Sequence, residues 1–440
     1  MSATDRILIQ SGSVVDLDSD HGILINYDVL IENGLISQVG QSIEAAGAEI
    51  IDATGFIVSP GFVDTHRHMW QGQLRGSGVN ATLGEYFGTT IAEVAPRYRP
   101  SDVETGELMS GLDCLDAGIT SVFDWSHIQH SPDHSDAAVR GLHQSGVRAV
   151  FGYGFPLTDV GAWMVSSSIP VPADLRRVHG DHFATGTSLV TLGLALRGPE
   201  YTTWNVVEED LGHARDLGLP VSLHFGGGDG PGRHGIARMH ERGLLGSDLA
   251  FVHGNSISEP EFELLAATGG SISATPAVEA QMGMGNGVPA IAAARRFGVQ
   301  VGLGADVPTS ASTSMFDIMR VAFATTRAAE FAAGTTDLVT NRDVLRMATL
   351  AGARAIGLGD MVGSIEVGKR ADIILVSTES LAQAPSVDSA ASLVSTASRS
   401  DVDTVIVDGV VRKRGGQLVD VDVPALLARA RASASHVLGA

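Results

Sequence analysis

The residues of this chain that could do chemistry together are His66 and His68 of PGFVDTHRH, His224 of PVSLHFGG, His253 of LAFVHGN and Asp306 of VQVGLGADVP. Each stands at the end of an apolar run. Alternate residues of an extended strand share a face, so His66 and His68 can converge on one point while Arg67 faces away. Neutral imidazole and carboxylate are the donors that borderline divalent ions such as zinc prefer, and a catalytic zinc keeps one position for water. His66, His68, His224 and Asp306 would offer such an ion three nitrogens and one oxygen. An HxH pair alone, or an isolated His253 or Asp306, would read as ordinary hydrogen-bonded side chains. Their weight comes from a shared position in the pattern of the chain.

That pattern is an alternation. Eight apolar, β-rich runs (GFVDTHRH, ITSVFDWSH, VRAVFGYG, LVTLGLALR, PVSLHFGG, LAFVHGN, GSISATP and VQVGLGADVP) are separated by stretches of helical periodicity such as SDVETGELMSGLDCLDAG and WNVVEEDLGHARDLG. Strand and helix repeated in this way close most naturally into a (β/α)8 TIM barrel, an α/β fold whose active sites lie at the C-terminal ends of the strands. A doubly wound open sheet is the rival, but no GxGxxG or GxxxxGK loop follows the first run. Short strand-like runs also fill Ile7 to Ser59 and return near Gly363, so the two ends of the chain are expected to build one small β-sandwich. The expected division is 1–60 and 361–440 for the sandwich and 61–360 for the barrel. The segment VPALLARARASASHVL reads as a closing helix with Pro424 in its first turn.

Composition narrows the functions. With 440 residues, 44% hydrophobic and 18% charged, the chain is globular and not disordered. Fifty acidic side chains against 29 basic ones give a net charge of -21, which repels nucleic acid and anionic membranes and leaves a small molecule as the expected partner. Cys114 is the only cysteine, so neither an internal disulfide nor a thiolate zinc cluster can form, and a buried, inert thiol is expected. No signal-peptide pattern opens the sequence and no apolar run approaches ~18 residues, so a cytoplasmic location is expected. A GxSxG elbow is absent, which removes a serine hydrolase from consideration.

Taken together, PGFVDTHRH, the histidine after strand five, VHG after strand six, GLGADV after strand eight, and GSIEVGKRADIILV with VDTVIVDGVVRKRGG resemble the amidohydrolase superfamily. Within it, the chain is most similar to the cytosine deaminase and triazine chlorohydrolase-like branch. The resemblance implies a distorted barrel with a β-sandwich from both termini, a homo-oligomer, and His66, His68, His224 and Asp306 as metal ligands. It makes His253 a hydrogen-bonding partner of the reacting water or of the substrate. In two-metal relatives a carboxylated lysine on strand four bridges the ions. Arg197 ends strand four here, and the only lysines are Lys369 and Lys413. Arginine stays protonated and cannot form the carbamate, so one ion is expected, zinc first, with iron, manganese or cobalt also compatible. One departure concerns protons. Relatives usually carry a glutamate three residues after the strand-five histidine, where Gly227 stands here; Asp229 and Glu279 are the substitutes in reach, unless Asp306 and His253 act alone.

The same strand ends suggest the substrate wall: Trp70 and Gln71 after the HRH pair, Trp125 and His127 after strand two, and Glu279, Met282 and Met284 after strand seven. The reaction expected is hydrolysis of a non-peptide C–N bond (amide, urea or amidine) in a small, heterocyclic or aromatic molecule, with Asp306 taking the proton of the attacking water and His253 stabilising developing charge. Deamination of a nitrogen heterocycle, dechlorination of a triazine-like ring and a non-catalytic scaffold of the same fold are the alternatives.

Overall fold

A computed structural model describes residues 6–17, 22–186, 188–226 and 233–439. Its centre is a parallel, eight-stranded sheet in sequence order: β1 (Phe62–Arg67), β2 (Ile119–Ser126), β3 (Arg148–Tyr153), β4 (Val190–Leu196), β5 (Val221–Phe225), β6 (Leu249–His253), β7 (Ser271–Ala274) and β8 (Gln300–Leu303). These are the eight apolar runs of the sequence. Both faces of every strand are covered, which is why they read as nearly continuous apolar segments and not as alternating ones.

The sheet closes on itself. A parallel bridge joins Arg67 to Asp306, formed by the Asp306 N–H donating to the His66 carbonyl at 2.8 Å and the His68 N–H donating to the Asp306 carbonyl at 2.9 Å. Gly304 permits this contact, since a Cβ there would lie 2.8 Å from the His66 carbonyl oxygen. Inside the barrel Thr65 and Ser273 share a hydrogen bond of 2.5 Å.

Both ends of the chain form a second, nine-stranded mixed sheet. They meet where Phe56–Pro60 pairs antiparallel with Ile373–Ser377. Two-residue periodicity then divides the work of the C-terminal strand. Ile373 and Leu375 join Ile7, Ile9, Val29 and Ile31 in a small separate core, whereas Ile374 and Val376 pack into the main core of the barrel. Arg148 of β3 reaches Asp372 at 2.8 Å and Asp408 at 3.1 Å, and Lys413 reaches Asp116 at 3.0 Å, adding charged ties across the same junction. The closing helix, Val423–Leu438, starts with Pro424 in its first turn and Asp422 capping the Ala425 N–H at 3.0 Å. Cys114 is buried in helix Pro100–Asp116, and burial pushes its thiol up to about 12, as an inert core residue requires. No helix among the described residues is long and apolar enough to cross a membrane.

Candidate active site

β1 brings His66 and, one residue past its end, His68 to the rim; β5 brings His224, and Asp306 follows β8. His66 Nε2 lies 3.3 Å and His68 Nε2 3.4 Å from the same Asp306 oxygen, Oδ1. Yet both ring nitrogens of His66 are buried without a hydrogen-bond partner. Two ligand atoms each ~2.1 Å from one tetrahedral ion lie ~3.4 Å apart, so these gaps have the span that a shared cation sets. Nitrogens of His66, His68 and His224 can all lie within 4.8 Å of one another, as can atoms of His66, His253 and Asp306. The donor set therefore fits a metal ion.

Surrounding groups orient the donors. The Trp125 carbonyl can only accept, so His68 Nδ1, at 2.9 Å from it, carries the proton and leaves the Nε2 lone pair facing Asp306. Arg67 points the other way: it donates to Asp64 at 2.7 Å, to Asp113 at 3.2 Å and to the Thr313 carbonyl at 2.8 Å. Burial lowers the His66 imidazole to about 4, and burial with the adjacent histidines holds His224 well below its ordinary value, so both are neutral at physiological pH.

His253 works differently. Its Nδ1 lies 3.0 Å from Thr275 Oγ1 and 3.3 Å from Glu279 Oε1, leaving Nε2 turned toward Asp306 Oδ2 at 4.0 Å. Burial would lower this imidazole, but the Glu279 hydrogen bond and the charges of Asp306 and Glu279 outweigh it and raise His253 above its ordinary value. Both His253 (φ +70°) and Asp306 (φ +60°) adopt left-handed backbone conformations that side chains disfavour. Such strain, of order 1–3 kcal/mol each, persists where the surroundings hold a functional group in place.

A cavity of about 240 Å³ opens beside these groups, with His68, His224, His253 and Asp306 on its wall. Trp125, His127, Met282 and Met284 line it too, and the Trp125 ring stands 4.0 Å from that of His224. Three expected wall residues do not line it. Trp70 and Gln71 fall in a buried 3-10 turn, Met69–Leu74, that coils the chain away from the rim. Trp70 instead donates through Nε1 to His127 Nδ1 at 3.3 Å, and Gln71 donates to the hydroxyl of Tyr86 at 2.6 Å. His127 Nδ1 also lies 3.4 Å from the Trp125 carbonyl, so a donor and an acceptor face the same nitrogen. Glu279 is fully buried in the first turn of helix Pro276–Met282, behind His253. Arg197 is likewise turned away, donating to the carbonyls of Trp163 at 2.9 Å and Ile169 at 2.6 Å. Gly227 and Asp229 lie outside the described residues. Sequence reasoning passed over Tyr86, Phe87 and Glu200, all on the cavity wall. The available signal for Glu200 was its place three residues after the end of strand four.

The model of the amidohydrolase family matches residues 57–412. A 5-methylthioadenosine/S-adenosylhomocysteine deaminase of Desulforudis audaxviator is 28% identical over 98% of this chain and 99% of its own. A 5'-deoxyadenosine deaminase of Methanosarcina acetivorans is 27% identical, covering 98% of each. Among solved structures, an adenosine deaminase from Xanthomonas campestris with bound zinc superposes with a TM-score of 0.85 at 25% identity, covering 99% of both chains. Atrazine chlorohydrolase from Arthrobacter aurescens, complexed with zinc, superposes at 0.84 over 97% of this chain and all of its own; at 21% identity it speaks to the fold alone.

Proposed function

Because this chain belongs to the amidohydrolase family, whose model spans residues 57–412, and is thus a hydrolase of carbon–nitrogen bonds other than peptide bonds, we propose that it is a mononuclear metal enzyme acting on a small, flat nitrogen heterocycle. The observation that carries this reading is the His66, His68, His224 and Asp306 cluster, with the His66 nitrogens buried and unpartnered and His68, His224 and Asp306 on the wall of an aromatic cavity. Zinc is the ion the three-imidazole, one-carboxylate set suits first. A single site is supported by the absence of lysine from the barrel sequence and by Arg197 being turned away to the Trp163–Ile169 loop.

When bound, a divalent ion supplies an ionised water near neutral pH and positive charge beside the reacting carbon. The protein supplies the rest. His66, His68 and His224 would hold the ion. Asp306 uses Oδ1 toward the histidines and keeps Oδ2, which accepts from the Thr275 hydroxyl at 3.3 Å, for the proton of the attacking water. His253, whose protonated form the Glu279 hydrogen bond favours, presents Nε2 toward Asp306 and the oxygen of the attacking water. Trp125 and Phe87 offer flat apolar faces, and His127 offers a hydrogen-bonding imidazole to a ring nitrogen or oxygen. Among the described residues no lysine or arginine lines the cavity, so an anionic substrate is disfavoured.

Among C–N bonds, removal of a ring amino group is the reading we favour. Gly227 in place of the usual glutamate shifted the sequence argument toward amides and ureas, but the relatives matching nearly the whole chain are named as adenine-nucleoside deaminases. The test is a panel of adenine nucleosides, aminopyrimidines, aminotriazines, amides and ureas, scored by product mass with zinc-loaded and chelator-stripped protein. Ammonia release that needs metal supports the proposal. No metal-dependent product from any compound overturns it.

A further inference from the structure

Hydrolytic removal of an amine moves two protons, one from the attacking water and one onto the departing nitrogen. One carboxylate can shuttle both, or a second carboxyl group on the cavity wall can share the work. Among the described residues the cavity wall carries two carboxylates, Asp306 and Glu200. Glu200 is half-buried in the loop after β4. That loop crosses the end of β5 because Gly198 allows it: its φ is +71°, and a Cβ there would lie 2.9 Å from the His224 carbonyl oxygen. Glu200 Oε1 then accepts the Gly226 N–H at 2.9 Å. Gly226 has φ +128° and would place a Cβ 2.9 Å from the Asn255 nitrogen, so it too has room only for glycine. Two close backbone approaches thus deliver one carboxyl group from β4 to the β5 and β6 ends.

Resting on the deaminase reading above, we propose that Glu200 is the catalytic acid that protonates the leaving nitrogen. Water forms the C–O bond and loses one proton to Asp306 Oδ2. The protonated Glu200 carboxyl gives its proton to the amino nitrogen, the C–N bond breaks with its electron pair passing to that nitrogen, and ammonia departs. Asp306 then releases its proton to solvent and Glu200 takes one up, so amino heterocycle and water become hydroxy heterocycle and ammonia with no other reactant.

The test exploits a leaving group that needs no proton. The best amino heterocycle of the panel and its chloro counterpart at the same ring carbon are compared in wild type, Glu200→Gln and Glu200→Asp, all zinc-loaded and checked for metal content. The Gln variant keeps an oxygen to accept the Gly226 N–H. Ammonia release is expected to fall by about 10²-fold or more in Glu200→Gln, chloride release by less than about 10-fold, and Glu200→Asp to recover part of the ammonia rate. Equal losses on both substrates, or an unchanged ammonia rate, overturn the role of Glu200 and leave the deaminase reading standing. Failure of the wild type to release ammonia from any compound removes that reading and this inference with it. If Glu200→Gln loses its metal, the Asp variant carries the same two-substrate comparison.

Discussion

The two sides of strand β1 set a functional cluster against a structural one within three residues. On one side His66 and His68 meet Asp306 at 3.3 and 3.4 Å, with His66 nitrogens left unpartnered. On the other, Arg67 is equally buried, but its guanidinium donates to Asp64, Asp113 and Thr313. Burial of a polar group is unfavourable on both sides; Arg67 has its compensation within the protein, whereas the His66 nitrogens do not. An unsatisfied buried donor set points to something yet to be bound, whereas a satisfied one holds the fold.

If that contrast is right, the inward side should fail in chemistry and the outward side in stability. The largest effect is expected for Asp306→Asn, which should lower ammonia release about 10³-fold or more while circular dichroism stays that of wild type. His66→Gln should reduce bound metal from about one ion per chain to near zero by elemental analysis, with turnover lost in parallel. Arg67→Met should do the converse, destabilising the protein by about 3–5 kcal/mol in urea titration because Asp64 is left buried and unpaired. A loss under 1 kcal/mol there would erase the distinction.

Acid offers a subtler probe. His66 is held at about 4 in the folded chain against an ordinary value of 6.5, so between those limits the unfolded chain binds the extra proton. Metal-stripped protein should therefore lose stability, on the order of a few kcal/mol, as pH falls from about 6.5 toward 4, with zinc opposing the loss. A flat urea midpoint over that window would contradict the burial of a neutral imidazole. The smallest effect is expected from Trp70→Phe, which removes the Trp70–His127 hydrogen bond. KM should rise about fivefold with kcat little changed, corresponding to about 1 kcal/mol of binding.

Strand ends were legible in the sequence because a parallel barrel strand is apolar on both faces until its last residues, and the first polar side chain there stands out. His66, His68, His224, His253 and Asp306 were visible for that reason. Side-chain direction beyond the strand ends was not. Trp70 and Gln71 were placed on the wall, but the 3-10 turn Met69–Leu74 rotates them beneath it. Glu279 was read as a wall or proton-relay group; the first turn of its helix sets it behind His253, where it holds the imidazole. Glu200 was missed because a glutamate in a loop looks like a solvated surface residue until Gly198 is seen to fold that loop over β5.

The hydrogen bonds that join Arg67 to Asp306 link residues 239 positions apart along the chain, and they lie directly beside the ligand cluster. The pocket is therefore a clasp fastened by the last strand to arrive. A nascent or truncated chain that stops short of β8 owns the three imidazoles proposed to hold the ion but lacks Asp306, so the proposed donor set is complete only when the cylinder's final seam is sewn.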